Sequence, residues 1–182
     1  MGGVMSEALT LARVESLFRG YGSAYYGREA ITQTEHALQC AALAEQAGES
    51  PATVVAGLLH DIGHLMMAES EQEDKRHQDV GARALLGLVG ESVCAPVRLH
   101  VPAKRYLCAV DRAYWATLSQ ASKDTLVLQG GPFSTQEVQA FERLPYFAEA
   151  VRLRKYDDLA KVPGAATPPL RHYLDMLETV AA

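Results

Sequence analysis

Apolar side chains recur at helical spacing along almost the whole chain, and no stretch alternates as a half-buried strand would. Residues 6–19 place Leu9, Val14, Leu17 and Phe18 on one stripe and predict an amphipathic first helix. Residues 20–33 are rich in Gly and Tyr and read as a loop. A second helix spans 34–47, with Gly48 as its left-handed stop. Ser50-Pro51 gives an N-cap followed by proline at the first helical position, opening a helix that runs to about Met67. Residues 68–75 form a polar, acidic link.

The pattern resumes over 76–89 and again over 91–101. There Pro96 predicts a short or kinked element, and Pro102 predicts its end. Helical pieces fill 103–128, broken near Ser119–Ser122, and Gln129-Gly130-Gly131-Pro132 is a turn. Ser134-Thr135-Gln136-Glu137 is a capping box. Pro145 starts a helix over 145–160, and a last one occupies about 168–180. The fold class is therefore all-α, expected as one domain over 1–182 with its chemistry between about 34 and 161.

Composition narrows the function classes. A hydrophobic share of 48% and a charged share of 21% are ordinary for a globular domain. A net charge of −5 argues against a nucleic-acid partner. No apolar run approaches the roughly 18 residues of a membrane span. Three separated cysteines, Cys40, Cys94 and Cys108, read as reduced thiols and predict a cytoplasmic protein.

The chemistry is concentrated in histidine. Five of the six histidines fall between residues 36 and 100: His36, His60, His64, His77 and His100, with Asp61 directly after His60. His36 shares the inward stripe of its helix with Cys40 and Leu43. His60 and His64 are four apart on one face, and Ala56, Gly57 and Gly63 beside them permit close approach of a neighbour. Adjacent helical residues point about 100° apart, so His60 and Asp61 reach one ion only if it sits in the wedge between them. Imidazole and carboxylate together suit divalent first-row metals, iron and zinc included. Ligands projecting inward from several helices are how bundles build metal sites. Four such histidines plus carboxylates suggest two ions, about 3.5–4 Å apart in typical two-metal sites, with Asp61 the natural bridge. His172 lies off its helix's apolar stripe and reads as a surface residue.

These residues carry a family resemblance. His36…His60-Asp61…Asp157 resembles the H…HD…D pattern of the HD-domain superfamily, all-α metalloproteins that are mostly phosphohydrolases. His77 and His100 resemble the two extra histidines of its dinuclear members. The match is closer to the HD-domain mixed-valent di-iron oxygenases that cleave carbon–phosphorus bonds. It extends from about Tyr21 to Lys161 and includes Tyr26…Glu29…Thr32-Gln33, Lys104-Arg105-Tyr106-Leu107, Leu118-Ser119…Ala121-Ser122-Lys123, Gln129-Gly130-Gly131 and Arg152…Arg154…Asp157.

That resemblance implies two iron ions, an Fe(II)/Fe(III) pair, with O2 as co-substrate. It assigns one iron to His36, His60, Asp61 and Asp157, and the other to His77, His100 and the shared Asp61. It also implies an organophosphonate substrate of the 1-hydroxy-2-aminoethylphosphonate type, free or N-trimethylated. The products would be glycine or glycine betaine plus phosphate, and an upstream hydroxylase would supply the 1-hydroxy group. The alternative is a dinuclear HD-domain phosphohydrolase, which would share every ligand. The KRYL and QGG segments and Tyr26 favour the oxygenase.

A phosphonate dianion needs cations. Lys104 is four residues after His100 and shares its face if the helix continues through Pro102, and Arg154 is three before Asp157 on one helix; arginine also suits phosphonate oxygens by bidentate geometry. Ser122 adds a hydroxyl, and His64 would stand behind the ligands and donate to the substrate. By resemblance, Tyr26 binds iron when substrate is absent, and Glu29 lies near the substrate amine. Tyr21, Tyr25 and Tyr106 could instead favour a quaternary ammonium by cation–π contact.

Overall fold

A computed structural model describes residues 8–70 and 76–182 of the chain. Eleven helices and no extended strand are found among them, only two isolated bridges, Tyr25 to Thr32 and Val89 to Ala181. The all-α expectation holds.

Local chemistry sets the helix starts. Thr10 accepts the Arg13 N–H and opens α1 (Leu11–Tyr21), so the first helix begins later than expected, and residues 6 and 7 lie outside the described residues. Thr32 and Glu35 form a reciprocal capping box at α2 (Gln33–Gln46), and Gly48 follows its end at φ 75°. Ser50 caps α3 (Pro51–Leu59), with proline at the first position.

The helix expected from 51 to 67 is two. His60 and Asp61 form a tight turn between α3 and α4 (Ile62–Ser70). Of the expected acidic link, residues 68–70 are helical and 71–75 lie outside the described residues. His77 is the first residue of α5 (His77–Leu85).

The largest departure is α6, one helix from Glu91 to Val110 that runs through both Pro96 and Pro102. Each proline removes a backbone bond at a cost of about 3 kcal/mol. The helix persists because eleven of its residues, Val93, Val97 and Leu99 among them, are buried against α3, α5 and α10 (Phe147–Leu159). Each large apolar side chain so buried contributes about 1.5–3 kcal/mol, so packing outweighs the local penalty. Three short helices follow: α7 (Tyr114–Thr117), α8 (Gln120–Leu128), capped by Ser119, and α9 (Thr135–Phe141), opened by the Ser134–Glu137 box.

The main core joins α1–α6, α10 and α11 (Leu170–Val180), with Leu17, Leu58, Leu59, Ile62, Leu85, Leu153 and Tyr173 among its buried members. Two glycines set the distance between α4 and α5. A Cβ on Gly63 would sit 2.1 Å from the His77 carbonyl oxygen, and one on Gly81 would sit 3.1 Å from the Gly63 nitrogen. This close crossing brings His77 against the His60-Asp61 turn.

Candidate metal centre

Six side chains from five places in the chain converge in the interior: His36 on α2, His60 and Asp61 at the turn, His77 on α5, His100 on α6 and Asp157 on α10. All are buried. The ring nitrogens form two pairs. His36 Nε2 lies 3.1 Å from His60 Nε2, and His77 Nε2 lies 3.2 Å from His100 Nε2. Asp61 stands between the pairs and divides its oxygens. Its Oδ2 faces His60 at 3.2 Å and His36 at 3.7 Å, while Oδ1 faces His77 at 3.1 Å and His100 at 3.4 Å. Asp157 Oδ1 closes the first group, 3.3 Å from His36 and 3.9 Å from His60.

Tautomers follow from the outer nitrogens. His36 Nδ1 donates to the Ala160 carbonyl at 2.7 Å, His60 Nδ1 to Gly57 at 2.8 Å and His100 Nδ1 to Val97 at 2.7 Å. Each bond fixes a ring and leaves its Nε2 lone pair pointing inward, the outer-shell arrangement that metal-binding histidines use. Two lone pairs facing each other across 3.1 Å repel unless a cation lies between them. Asp61 Oδ2 and Asp157 Oδ1 are buried with no hydrogen-bond partner, a cost of at least 1–3 kcal/mol each that a bound cation removes. The histidine and carboxylate donors therefore fit divalent metal.

Electrostatics separate the rings: burial works against the His60 cation, but Asp61 and Cys40 outweigh it and raise its pKa well above the ordinary value, so a metal binding there displaces a proton. Burial works against the Asp61 carboxylate, but His60, His100 and His77 outweigh it and hold it well below the usual range. Burial pushes the His100 pKa down to about 4, so this ring is neutral near pH 7, as a ligand must be. The donors form three overlapping groups able to hold an ion: His36, His60 and Asp61; His60, His100 and Asp157; and Asp61, His77 and His100.

Around this cluster lie the other expected residues. The Tyr26 ring stacks on His36 with centroids 3.8 Å apart. Burial, then the Asp61 and Asp157 charges, raise its phenol pKa well above normal. His64 stacks on His77 at 4.0 Å, and its Nε2 lies 4.0 Å from Asp61 Oδ1, a half-exposed layer behind the cluster. Lys104 is 3% exposed and donates to Thr125 Oγ1 at 2.9 Å. The unbroken α6 keeps it in phase with His100.

Arg154 pairs with Asp157 Oδ2 at 2.7 Å and also grips Asp158, whose carboxylate accepts the Tyr114 hydroxyl. Ser122 is buried, with its Oγ 3.1 Å from Lys161 Nζ. Lys161 also lies 3.6 Å from Glu29 Oε1. His172 is remote and pairs with Glu45 on the surface.

Tyr21, Tyr25 and Tyr106 do not form a cage. Tyr25 is 73% exposed, Tyr21 packs on the main core, and Tyr106 sits with Phe141 and Phe147 and donates to Glu142. Sequence reasoning also gave no role to Thr125, Tyr114, Asp158 or Lys161. Asp158 was within reach of it, four residues after Arg154 on one helix. Lys161 was not, because it lies past the end of α10, where helical phase says nothing.

Comparison with known proteins fixes the family. The model of the HD domain matches residues 34–118. The chain is 43% identical over 176 residues to the hydroxymethylphosphonate dioxygenase of Gimesia maris, covering 92% of this chain and 87% of that protein. It is 37% identical over 170 residues to the [1-hydroxy-2-(trimethylamino)ethyl]phosphonate dioxygenase (glycine-betaine-forming) of Leisingera caerulea, covering 91% and 87%. The chain belongs to the HD-domain phosphonate dioxygenases. An uncharacterised protein of Acanthamoeba polyphaga mimivirus is 33% identical over 169 residues, covering 89% of this chain and 77% of that one. Membership makes the chain an oxygenase that works with metal and O2. For a member of the HD-domain phosphonate dioxygenases, the buried histidines and aspartates are the residues able to hold that metal. No described helix is long and apolar enough to cross a membrane.

Proposed function

We propose that the protein is an iron- and O2-dependent oxygenase that cleaves the C–P bond of a 1-hydroxyphosphonate. The observation that carries this reading is the division of Asp61 between two histidine pairs in a chain of this family. His36, His60, Asp61 and Asp157 would hold one iron, and His77, His100 and Asp61 the other. Such a mixed-valent pair supplies Lewis acidity and the redox capacity to use O2. The overall balance is R–CH(OH)–PO3²⁻ + O2 → R–COO⁻ + HPO4²⁻ + H⁺, with one oxygen atom entering each product.

The chain's own residues bind and orient the substrate. Lys104 and Ser122 face the phosphonate, and Arg154, held by Asp157 and Asp158, adds charge on the same side. Buried cations attract a dianion strongly because little water screens them. His64, 4.0 Å from Asp61 Oδ1, would donate to the substrate, and Tyr26 covers His36. Glu29 supports a substrate ammonium and with it the 1-hydroxy-2-aminoethylphosphonate type, which would yield glycine. A second reading, hydroxymethylphosphonate, is favoured by the name of the 43% identical relative and would yield formate. The trimethylated substrate of the Leisingera relative draws no support from an aromatic cage of Tyr21, Tyr25 and Tyr106.

The test is oxygen uptake by anaerobically prepared, iron-loaded protein offered all three compounds. Matched consumption of O2 and release of phosphate is expected with at least one. Phosphate release without oxygen consumption would overturn the oxygenase and favour the phosphohydrolase. The Tyr26 role has a cheaper check. The oxidised iron-loaded protein should show a visible phenolate-to-iron band that is absent in Tyr26→Phe and fades when substrate is added.

A further inference from the structure

The segment after α10 is pinned at three points. The Ala160 carbonyl accepts from His36 Nδ1 at 2.7 Å. The Gln39 side chain grips Val162 twice, its Nε2 donating to the Val162 carbonyl at 2.7 Å and its Oε1 accepting the Val162 N–H at 3.0 Å. Both His36 and Gln39 belong to α2, so the strap is riveted to the helix that supplies an expected metal ligand. Lys161 lies between these rivets.

Its side chain is only 12% exposed and reaches α8 and the Glu29 carboxylate. The Nζ donates to Ser122 Oγ at 3.1 Å and Ser119 Oγ at 3.4 Å on α8, and lies 3.6 Å from Glu29 Oε1 and 5.9 Å from the Tyr26 ring centroid. Glu29 Oε1 is itself buried with no hydrogen-bond partner, so the lysine charge is what it faces. The Lys161 charge also reaches Lys104. Two lysines from different elements therefore reach α8, Lys104 at Thr125 and Lys161 at Ser122 one turn before it, and their like charges favour a bound anion nearby.

We propose that Lys161 is a substrate-positioning residue that completes the anion pocket of Lys104, Ser122 and Arg154 and orients Ser122 and Glu29 about its ammonium. The proposal rests on the phosphonate reading given above. The pinned strap supplies the rigidity that such a role needs, because an unanchored lysine loses much of its binding to side-chain and loop entropy.

Methylphosphonate has no 1-hydroxyl group and serves as a probe of binding without turnover. Titrated calorimetrically into metal-loaded protein, it should bind wild type and bind Lys161→Met at least about tenfold more weakly. Lys161→Arg should recover most of the loss. In oxygen uptake, Lys161→Met should raise KM by a similar factor, with kcat within about threefold. Iron content should be unchanged, which a merely structural role would not ensure.

Glu29→Gln frees the ammonium and should bind methylphosphonate at least as tightly as wild type. Weaker binding there would make Lys161 a counter-ion for Glu29 and overturn the proposal. So would affinity within twofold of wild type in Lys161→Met or, if that variant fails to fold, affinity in Lys161→Arg no nearer to wild type than that of Ser122→Ala. Turnover of a hydroxyphosphonate with unchanged binding in the variants sinks this inference and leaves the function standing. Binding losses in a protein that consumes no O2 with any hydroxyphosphonate do the reverse.

Discussion

Lys104 shows how burial beside a second cation sets a working pH. Burial, with Arg154 near it, pushes its pKa down to about 8. Below that value the side chain is a cation facing the pocket, and above it the charge is lost. The kcat/KM of the free enzyme should therefore fall as pH rises through about 8, since this ratio reports ionisation of free enzyme and free substrate. Lys104→Arg keeps the charge and should lack that limb, and a limb of equal position in the variant would assign it to another group. Ser122→Ala removes one hydroxyl from a phosphonate oxygen. Hydrogen bonds to charged groups are worth about 1.5–3 kcal/mol, so KM should rise roughly tenfold or more, with iron content intact. At this scale the sequence was informative, because helical phase placed His36 and His100 inward, and the resemblance supplied Asp157, to which phase then tied Arg154; Lys104 depended on the helix running past Pro102. The sequence said nothing of Lys161, whose place depends on a strap held by Gln39 and His36.

Among elements, the α4–α5 crossing is the most sensitive joint. Any side chain at Gly63 meets the His77 backbone, so Gly63→Ala must push α5 outward and take His77 with it. Overpacking of this kind costs about 1–3 kcal/mol. The protein should melt several degrees lower and lose metal from the His77 and His100 side first, read by thermal denaturation and metal analysis. A second joint ties the chain before α3 to α10. Arg152 grips Glu49 through Nε at 2.6 Å and Nη2 at 3.2 Å, and Tyr156 donates to it at 2.8 Å. Burial raises the Glu49 pKa, but the bonds from Arg152 and Tyr156 outweigh it and hold the carboxyl below its ordinary value. A depressed carboxyl stabilises the fold above its unfolded pKa of about 4.3 and loses that contribution as pH falls through the folded value. Wild type should thus lose its melting-temperature advantage over Glu49→Gln as pH drops below about 4.3. A constant difference down to pH 3 would count against the pair. The elements also show where pattern reading fails. Pro96 and Pro102 signalled a broken helix, yet α6 runs on because its neighbours bury it.

Across the whole molecule, the cluster joins α2, the α3–α4 turn, α5, α6 and α10. A bound metal therefore links helices that are far apart in sequence, and its binding energy adds to folding. At a hundredfold excess over Kd, one bound ligand stabilises by about 2.7 kcal/mol. In a chain of this size each kcal/mol shifts the melting temperature by about 2–4 °C. Stripping metal with a chelator should lower it by roughly 5–10 °C, and restoring Fe(II) anaerobically should recover it. Asp61→Asn, which weakens both sites at once, should show little of this response. A full response in that variant would mean that Asp61 does not hold metal.

The sequence by itself determined the helical class, the helix starts at Ser50 and Ser134, and the identities of the converging histidines and Asp61, with Asp157 added by family resemblance. These depend on periodicity, capping chemistry and residue type, which are local properties. Only the tertiary structure decided that α6 survives two prolines, that the His60-Asp61 pair sits at a turn, and that Asp61 divides its oxygens between two histidine pairs. It alone scattered the three tyrosines and brought Lys161 to Ser122 and Glu29. Those outcomes depend on packing between segments distant in the chain, where burial outweighs local preference and no spacing rule applies.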